Sequence, residues 1–408
     1  MNFLGYDMSG YVGAVMLLVA GGALYTAARA SAEALGHGSD ASSPESDSAF
    51  SGSDTWRAVG SWVPVAVVVM VATLLGREEV AVGVIFAVSV ACLSLVPGLA
   101  ALFQPEGATT EPADASRTPR RAWGFVLAVA LMLLIIGFSG RFTLLHAGLL
   151  FAQGLAIFFL FGTQRANAST IPSTASTLKP ASPFPVRVVQ LVLAIGVAAV
   201  GAYVATRGME VITRKTPFFS FATLAAIALA PLLTLPMIGM ATEFSRRGRP
   251  DVPIGSGVTV TLLNLCLLLP LVIVIHATMQ QYQLTQLTYS SQGATVTNSD
   301  DTFGRVTPVQ STPVPQPTSA DQPTTLPQST TRPGTQNAID VEPDFVPTSL
   351  SFPLALWRID TVLLVVFGFI LLPVSTGRWN LGPLEGSVLV IVYAAYVMML
   401  ARFGPGWQ

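Results

Sequence analysis

Charge is scarce in this chain. Only 11% of its 408 residues are Asp, Glu, Lys or Arg, where a soluble domain carries about 25%. That scarcity excludes a large solvated surface. With 21 basic against 22 acidic residues, no basic field is left for nucleic acid. Cysteine is nearly absent. Cys92 and Cys266 both fall inside apolar stretches and are too few for a disulfide framework or a thiolate metal site. The three histidines, His37, His146 and His276, form no ligand-spaced pair. No Ser-centred elbow, His/Asp pairing or phosphate-cradling glycine loop is found. Neither an enzyme nor a cofactor is expected.

Apolar sequence fills the space that charge leaves. Hydrophobic residues make up 51% of the chain, and mean hydropathy is +0.61. Runs of about 18 or more apolar residues recur, the length that crosses a hydrocarbon core of about 30 Å. In lipid the backbone must satisfy itself within the segment, so the spans are predicted as helices. The alternation of a membrane β-barrel is absent. Ten spans are predicted, over 11–33, 57–75, 80–103, 122–139, 143–163, 186–207, 218–241, 253–277, 353–375 and 384–403. The fold class expected is therefore all-α and polytopic, in a cell membrane. No Lys or Arg precedes the first span and Arg29 lies at its far end, which favours a retained helix with its N-terminus outside. The clusters Arg117/Arg120/Arg121, Arg165/Lys179/Arg187 and Arg246/Arg247/Arg249 then face the cytoplasm.

One spacing occurs twice. Pro64, Gly76 and Gly83 recur as Pro236, Gly248 and Gly255, displaced by 172 residues. Each triplet joins two apolar stretches through a charged turn, Gly76-Arg77-Glu78-Glu79 in one copy and Arg246-Arg247-Gly248-Arg249-Pro250-Asp251 in the other. The polar linker 164–185 divides the spans into five on each side, residues 1–163 and 186–408. Gly140-Arg141-Phe142 before the fifth span matches Gly377-Arg378-Trp379 before the tenth. An odd number of spans per copy inverts the second copy, giving two inverted five-helix repeats. The second half is interrupted between 186–279 and 353–408 by residues 280–352, rich in Thr, Pro and Gln and poor in large apolar side chains. Such a segment cannot bury enough surface to fold. It is read as a disordered extracytoplasmic loop open to an unknown partner.

These features resemble the cation/calcium antiporter superfamily, the sodium/calcium exchangers and their relatives. The match is carried by Leu235-Pro236-Met237, Arg247-Gly248-Arg249-Pro250-Asp251 and Gly255 through Leu263-Asn264-Leu265. The stretch from Arg358 and Asp360 through Leu384-Glu385-Gly386 to Tyr393 and Tyr396 extends it. The resemblance implies two inverted five-helix halves, with signature hairpins at helices 2–3 and 7–8. It also implies an ion site where each signature proline is followed by glutamate. Here those positions hold Val65 and Met237. The family's Gly-Ser-Asn group becomes Ala87-Val88-Ser89 and Thr259-Val260-Thr261. Its first Asn becomes Val84 and Ser256, and its closing Asn survives as Asn264, with Cys92 as counterpart. The acids Glu33, Glu210, Glu243, Asp360 and Glu385 are all placed near span ends, and Arg358 and Asp360 are expected to snorkel at the interface.

Ca²⁺ takes six to eight oxygens, usually including carboxylates. Without them, high-affinity Ca²⁺ exchange is not expected. What remains is a candidate ion path of Thr234, Ser256, Thr259, Thr261 and Asn264 with Ser89, suited to a monovalent cation. The same side chains could equally bond neighbouring helices. The leading function is antiporter-type cation transport with an altered or lost Ca²⁺ site. The alternative is a non-transporting membrane scaffold. The topology is testable in a cysteine-free background: Ser319→Cys should react with an impermeant thiol reagent on intact cells, and Arg247→Cys should be protected. The opposite pattern would invert the orientation.

Overall fold

The computed structural model describes residues 2–3, 6–7, 9–36, 52–105, 117–139, 141–168, 184–216, 219–296, 350–351, 354–375 and 381–403. Among them the helical residues form ten continuous segments. These are α1 (Ser9–Gly36), α2 (Gly52–Leu74), α3 (Glu78–Leu102), α4 (Arg117–Ser139) and α5 (Leu144–Ala168) in the first half. The second half has α6 (Phe184–Lys215), then α7, assembled from Phe221–Leu224, the π turn Ala225–Leu229 and Ala230–Arg246. Next comes α8, built of Asp251–Leu263, the π turn Asn264–Leu268 and Leu269–Val296. It closes with α9 (Leu354–Ser375) and α10 (Pro383–Phe403). Seven of the ten are long and apolar enough to cross a membrane on their described residues, and the apolar parts of α4, α5 and α9 are shorter. The protein is an all-α polytopic membrane protein.

The repeated spacing becomes repeated backbone. Gly76 has φ +68° and Gly248 φ +74°, a left-handed conformation that a Cβ disfavours. Around them the same closing bonds form. The Arg77 amide donates to the Ala72 carbonyl at 2.9 Å, and the Arg249 amide to the Phe244 carbonyl at 2.9 Å. Gly76 bonds back to Thr73 and Gly248 to Ser245. Each signature helix thus ends in the same glycine-capped motif, and the chain reverses into α3 or α8. Glu78 and Glu79 open α3, where carboxylates favour the positive end of the helix dipole.

Helix contacts come in matched pairs, as an inverted repeat requires. The pairs α1–α6, α3–α8 and α4–α9 each join equivalent helices. Several further contacts also have partners: α3–α7 with α8–α2, α3–α10 with α8–α5, α3–α9 with α8–α4, and α2–α6 with α7–α1. The halves therefore interlock. Residues 1–279 and 349–408 form one compact unit. A two-residue antiparallel bridge, Arg141 opposite Ser351 and Phe142 opposite Leu350, ties the entry of α5 to the segment before α9.

Hydropathy alone does not reveal which helices lie inside. The apolar window of α3 is 94% buried by protein, that of α6 only 28%. The lipid-facing side chains include Leu18, Ile135, Phe158, Val200 and Ile391. Small residues allow the inner helices to touch. A Cβ on Gly98 would stand 2.8 Å from the Gly386 carbonyl oxygen, and one on Gly257 would stand 2.5 Å from that of Cys92. Pro64 lies inside α2 and cannot bond the Gly60 carbonyl four residues back. The Ser31 hydroxyl of α1 donates to that carbonyl at 2.6 Å. The carbonyl that the proline leaves open is therefore satisfied by a neighbouring helix.

The segment read as a loop from residue 280 begins differently, because α8 continues to Val296. Residues 297–349, most of the Thr/Pro/Gln-rich stretch, lie outside the described residues, as does most of the 164–185 linker.

Replacing either turn glycine tests the repeat. Gly76→Ala and Gly248→Ala should each lower stability by about 1 to 2 kcal/mol, read as a drop in thermal unfolding midpoint in detergent. Gly124→Ala is the control, since Gly124 lies within α4 and a Cβ there meets nothing within 4 Å.

Candidate functional site

The two signature hairpins meet where α3 crosses α8. Residues 172 apart touch there. The Thr261 hydroxyl approaches the Ser89 carbonyl at 3.5 Å, and Thr261 is the repeat equivalent of Ser89. The pseudo-two-fold axis thus runs through this crossing. Asn264 Nδ2 donates to Ser89 Oγ at 3.2 Å, and Asn264 Oδ1 accepts from Trp62 Nε1 of α2 at 2.9 Å. Because an indole can only donate, the amide orientation is fixed. Across the axis Cys92, the counterpart of Asn264, touches α7 instead, its Sγ 3.5 Å from Met237 Sδ. The two halves make the same connection, α8 to α2 and α3 to α7, one polar and the other through sulfur.

Val65 and Met237 are both buried and belong to the same apolar cluster. Neither has a carboxylate partner among the described residues. No group of three or more His, Cys, Asp or Glu that could hold a metal ion occurs among the described residues.

Of the candidate ion path, the structure joins Ser89, Thr261 and Asn264 and leaves the others apart. Thr234 bonds the Ala230 and Pro231 carbonyls of its own helix, at 3.1 and 3.0 Å. Thr259 bonds Gly255 at 2.9 Å. Ser89 and Thr261 likewise donate to carbonyls four residues back, Ile85 at 2.7 Å and Gly257 at 2.9 Å. Ser256 Oγ is fully buried and has no hydrogen-bond partner among the described residues. A hydroxyl that donates along its own helix retains lone pairs, but at the axis those of Ser89 Oγ and Asn264 Oδ1 already accept protons. Around Asn264 these groups bond one helix to another, and the remaining hydroxyls bond carbonyls of their own helices.

Three features at this level escaped sequence reading. Trp62 was a signal only through its place two residues before Pro64. Each π turn in α7 and α8 ends two residues before a proline, Pro231 or Pro270. The wider turn carries the backbone past the missing amide hydrogen and places Asn264 at its start. Asp360 requires correction. Instead of lying at the interface it is 4% exposed and accepts a hydrogen bond from Tyr396 at 2.8 Å. Its depth is set by the neighbours of α9, which hydropathy along α9 alone does not report.

Ion pairs mark the two ends of the bundle. Glu210 of α6 accepts from Arg77 at 3.1 Å, Arg207 at 2.8 Å and Arg214 at 2.7 Å. That joins the α2–α3 turn to the end of α6. His276 of α8 meets Glu78 at 2.9 Å on the same side. Arg246 in the opposite hairpin lies over the Phe103 ring at the end of α3, 5.4 Å from its centroid.

No protein-family model matches the sequence, and no curated protein matches it. Solved structures do match. Native YfkE superposes with a TM-score of 0.56 at 14% identity, covering 96% of this chain and 91% of that one. The sodium-calcium exchanger NCX_Mj matches with a TM-score of 0.51 in 10 mM Na⁺ without Ca²⁺, at 11% identity. The same exchanger with neither ion gives 0.51 at 12% identity, and both cover 96% of this chain and 99% of theirs. The chain has an exchanger fold. At such identities the likeness extends to architecture alone.

Removing the central amide tests its role. Asn264→Ala leaves the half-buried Trp62 indole without its acceptor and should cost about 1 kcal/mol. A thermal double-mutant cycle with Trp62→Phe should show coupling of about 1 kcal/mol. Additive effects would mean the bond contributes nothing.

Proposed function

We propose that this protein is a membrane transporter of the cation-antiporter type whose central site no longer holds a divalent ion. The observation that carries the reading is the pair Val65 and Met237, each following a signature proline and each buried in the core of an exchanger fold. A divalent ion needs anionic oxygens to offset its dehydration, and this centre offers a satisfied amide, hydroxyls and two sulfur atoms. A monovalent cation loses far less hydration energy on entry. Ser256 and Thr259 are the hydroxyl oxygens available to it.

A second reading is a non-transporting scaffold. It is favoured by the mutual satisfaction of Trp62, Asn264 and Ser89 and by the close α3–α8 contact at Gly257. In that reading the Thr/Pro/Gln-rich segment 297–349 presents the partner-binding part. Both readings place the N-terminus outside, a placement supported by the arginine distribution.

Flux in proteoliposomes separates them. With Na⁺, K⁺, H⁺ and Ca²⁺ gradients imposed one at a time, transport predicts a saturable monovalent flux and no saturable Ca²⁺ uptake. Silence under all four favours the scaffold, and Ca²⁺ exchange at micromolar concentration overturns the lost-site reading. Val65→Glu/Met237→Glu puts two carboxylates back after the prolines, where like charges raise each other's pKa until a cation separates them. The double variant should gain thermal stability with Ca²⁺, about 2.7 kcal/mol at a hundredfold excess over Kd. The wild type should gain none.

A further inference from the structure

Among the described side chains, Asp360 is the one carboxylate that is buried without a cation beside it. It is 4% exposed, and Tyr396 Oη donates to its Oδ1 at 2.8 Å. Among the described side chains no Lys, Arg or His pairs with it. By contrast Glu210, the other largely buried acid, is held by three arginines. A single neutral hydroxyl does not offset the several kcal/mol that an ionised carboxylate loses on leaving water. A carboxyl group inside a membrane bundle is retained chiefly for function.

A second polar group points to the same place. Tyr393, one turn before Tyr396 on α10, is 6% exposed, and its hydroxyl has no hydrogen-bond partner among the described residues. The two rings lie 6.2 Å apart. The register of α10 on α3 fixes their depth. Gly386 lies against Gly98, Ala101 and Leu102, and Gly98 against Leu389 and Val390. The helices run antiparallel, so Tyr393 and Tyr396 stand abreast of residues 92–95 of α3. Cys92 touches Met237 at the centre. Asp360 therefore lies at the depth of the central crossing, within a tyrosine side chain's reach of it.

We propose that Asp360, with the hydroxyls of Tyr396 and Tyr393, is a proton-binding site inside the membrane. The carboxylate takes a proton from water to become a neutral acid, and gives it back when the site opens to solvent or the pH rises. Tyr396 is the positioning residue: its hydroxyl fixes Oδ1, leaving Oδ2 to carry the proton. The titratable groups on packed elements are few. Helix α3 brings Cys92, with Glu78 and Glu79 at its start. Helix α10 brings the two tyrosines, with Glu385 and Arg402 at its ends. Residues 124–139 of α4 bring none, and the arginines 117–121 begin that helix at the opposite face. On α9 the nearest charge in sequence is Arg358, two positions earlier, whose side chain is outside the described ones. The site does not depend on the transport reading, since a scaffold with this fold would carry the same group.

The test uses the full-length protein in liposomes and dicyclohexylcarbodiimide, an apolar reagent that modifies protonated carboxyl groups, with peptide mass spectrometry as readout. At about pH 7 Asp360 should be modified at least tenfold more than Glu210. The modification should fall as pH rises, and Asp360→Asn should abolish it. Infrared difference spectra should show a protonated-carboxyl band in the wild type that Asp360→Asn removes without altering the amide bands. Tyr396→Phe removes a donor that favours the ionised form, so its labelling should persist to higher pH. An Asp360 that stays unlabelled and spectroscopically ionised at neutral pH overturns the proposal. So does protection by Na⁺ at constant pH, which would make the ligand a metal cation. Loss of cation flux with labelling intact would instead count against the transport reading alone.

Discussion

Everything in this bundle depends on how closely α3 and α8 can cross. Gly257 lets the α8 backbone rest on the Cys92 carbonyl, where any side chain would hold the helices apart. At that distance Thr261 reaches the Ser89 carbonyl and Asn264 reaches Ser89 Oγ. Lipid gives little hydrophobic force between helices, so association rests on close packing and on bonds of this kind. The crossing buries α3 almost completely and sets the depth of each helix placed against it.

The crossing is also the symmetry axis, and the two sides have diverged around it. Asn264 bonds Trp62 on one side, while Cys92 meets Met237 on the other. One side is polar and the other is sulfur and hydrocarbon. The backbone repeat is closer: both turn glycines are left-handed and both helix ends close with the same bonds. Backbone geometry is set by glycine and proline at a few positions, whereas a site needs several particular side chains at once.

The polar groups that remain divide by depth. Arginines and glutamates concentrate at the bundle ends, where Glu210 gathers three guanidinium groups and His276 meets Glu78. In the interior most hydroxyls donate to carbonyls four residues back along their own helix, the least demanding bond available. Ser31 is an exception with a structural reason, since it also serves the Gly60 carbonyl that Pro64 leaves open. Asp360 and its two tyrosines are the exception for which structure alone gives no such reason.

By itself the sequence determined the class, the ten helical segments and the repeated spacing. Apolar runs of bilayer length leave few alternatives to helices, and a proline–glycine spacing duplicated at 172 residues marks two equivalent hairpins. It also marked Val65 and Met237 as positions without charge, since that is a matter of identity alone. Only the tertiary structure decided which apolar helices face protein and which face lipid, because α3 and α6 read alike as runs of hydrophobic residues. It alone separated Ser89, Thr261 and Asn264, which meet at the axis, from Thr234 and Thr259, which turn back on their own helices. It also moved Asp360 from the interface to the interior. Periodicity along one helix tells which residues share a face. What that face meets, and at what depth, is fixed by the other helices, and no local pattern carries that information.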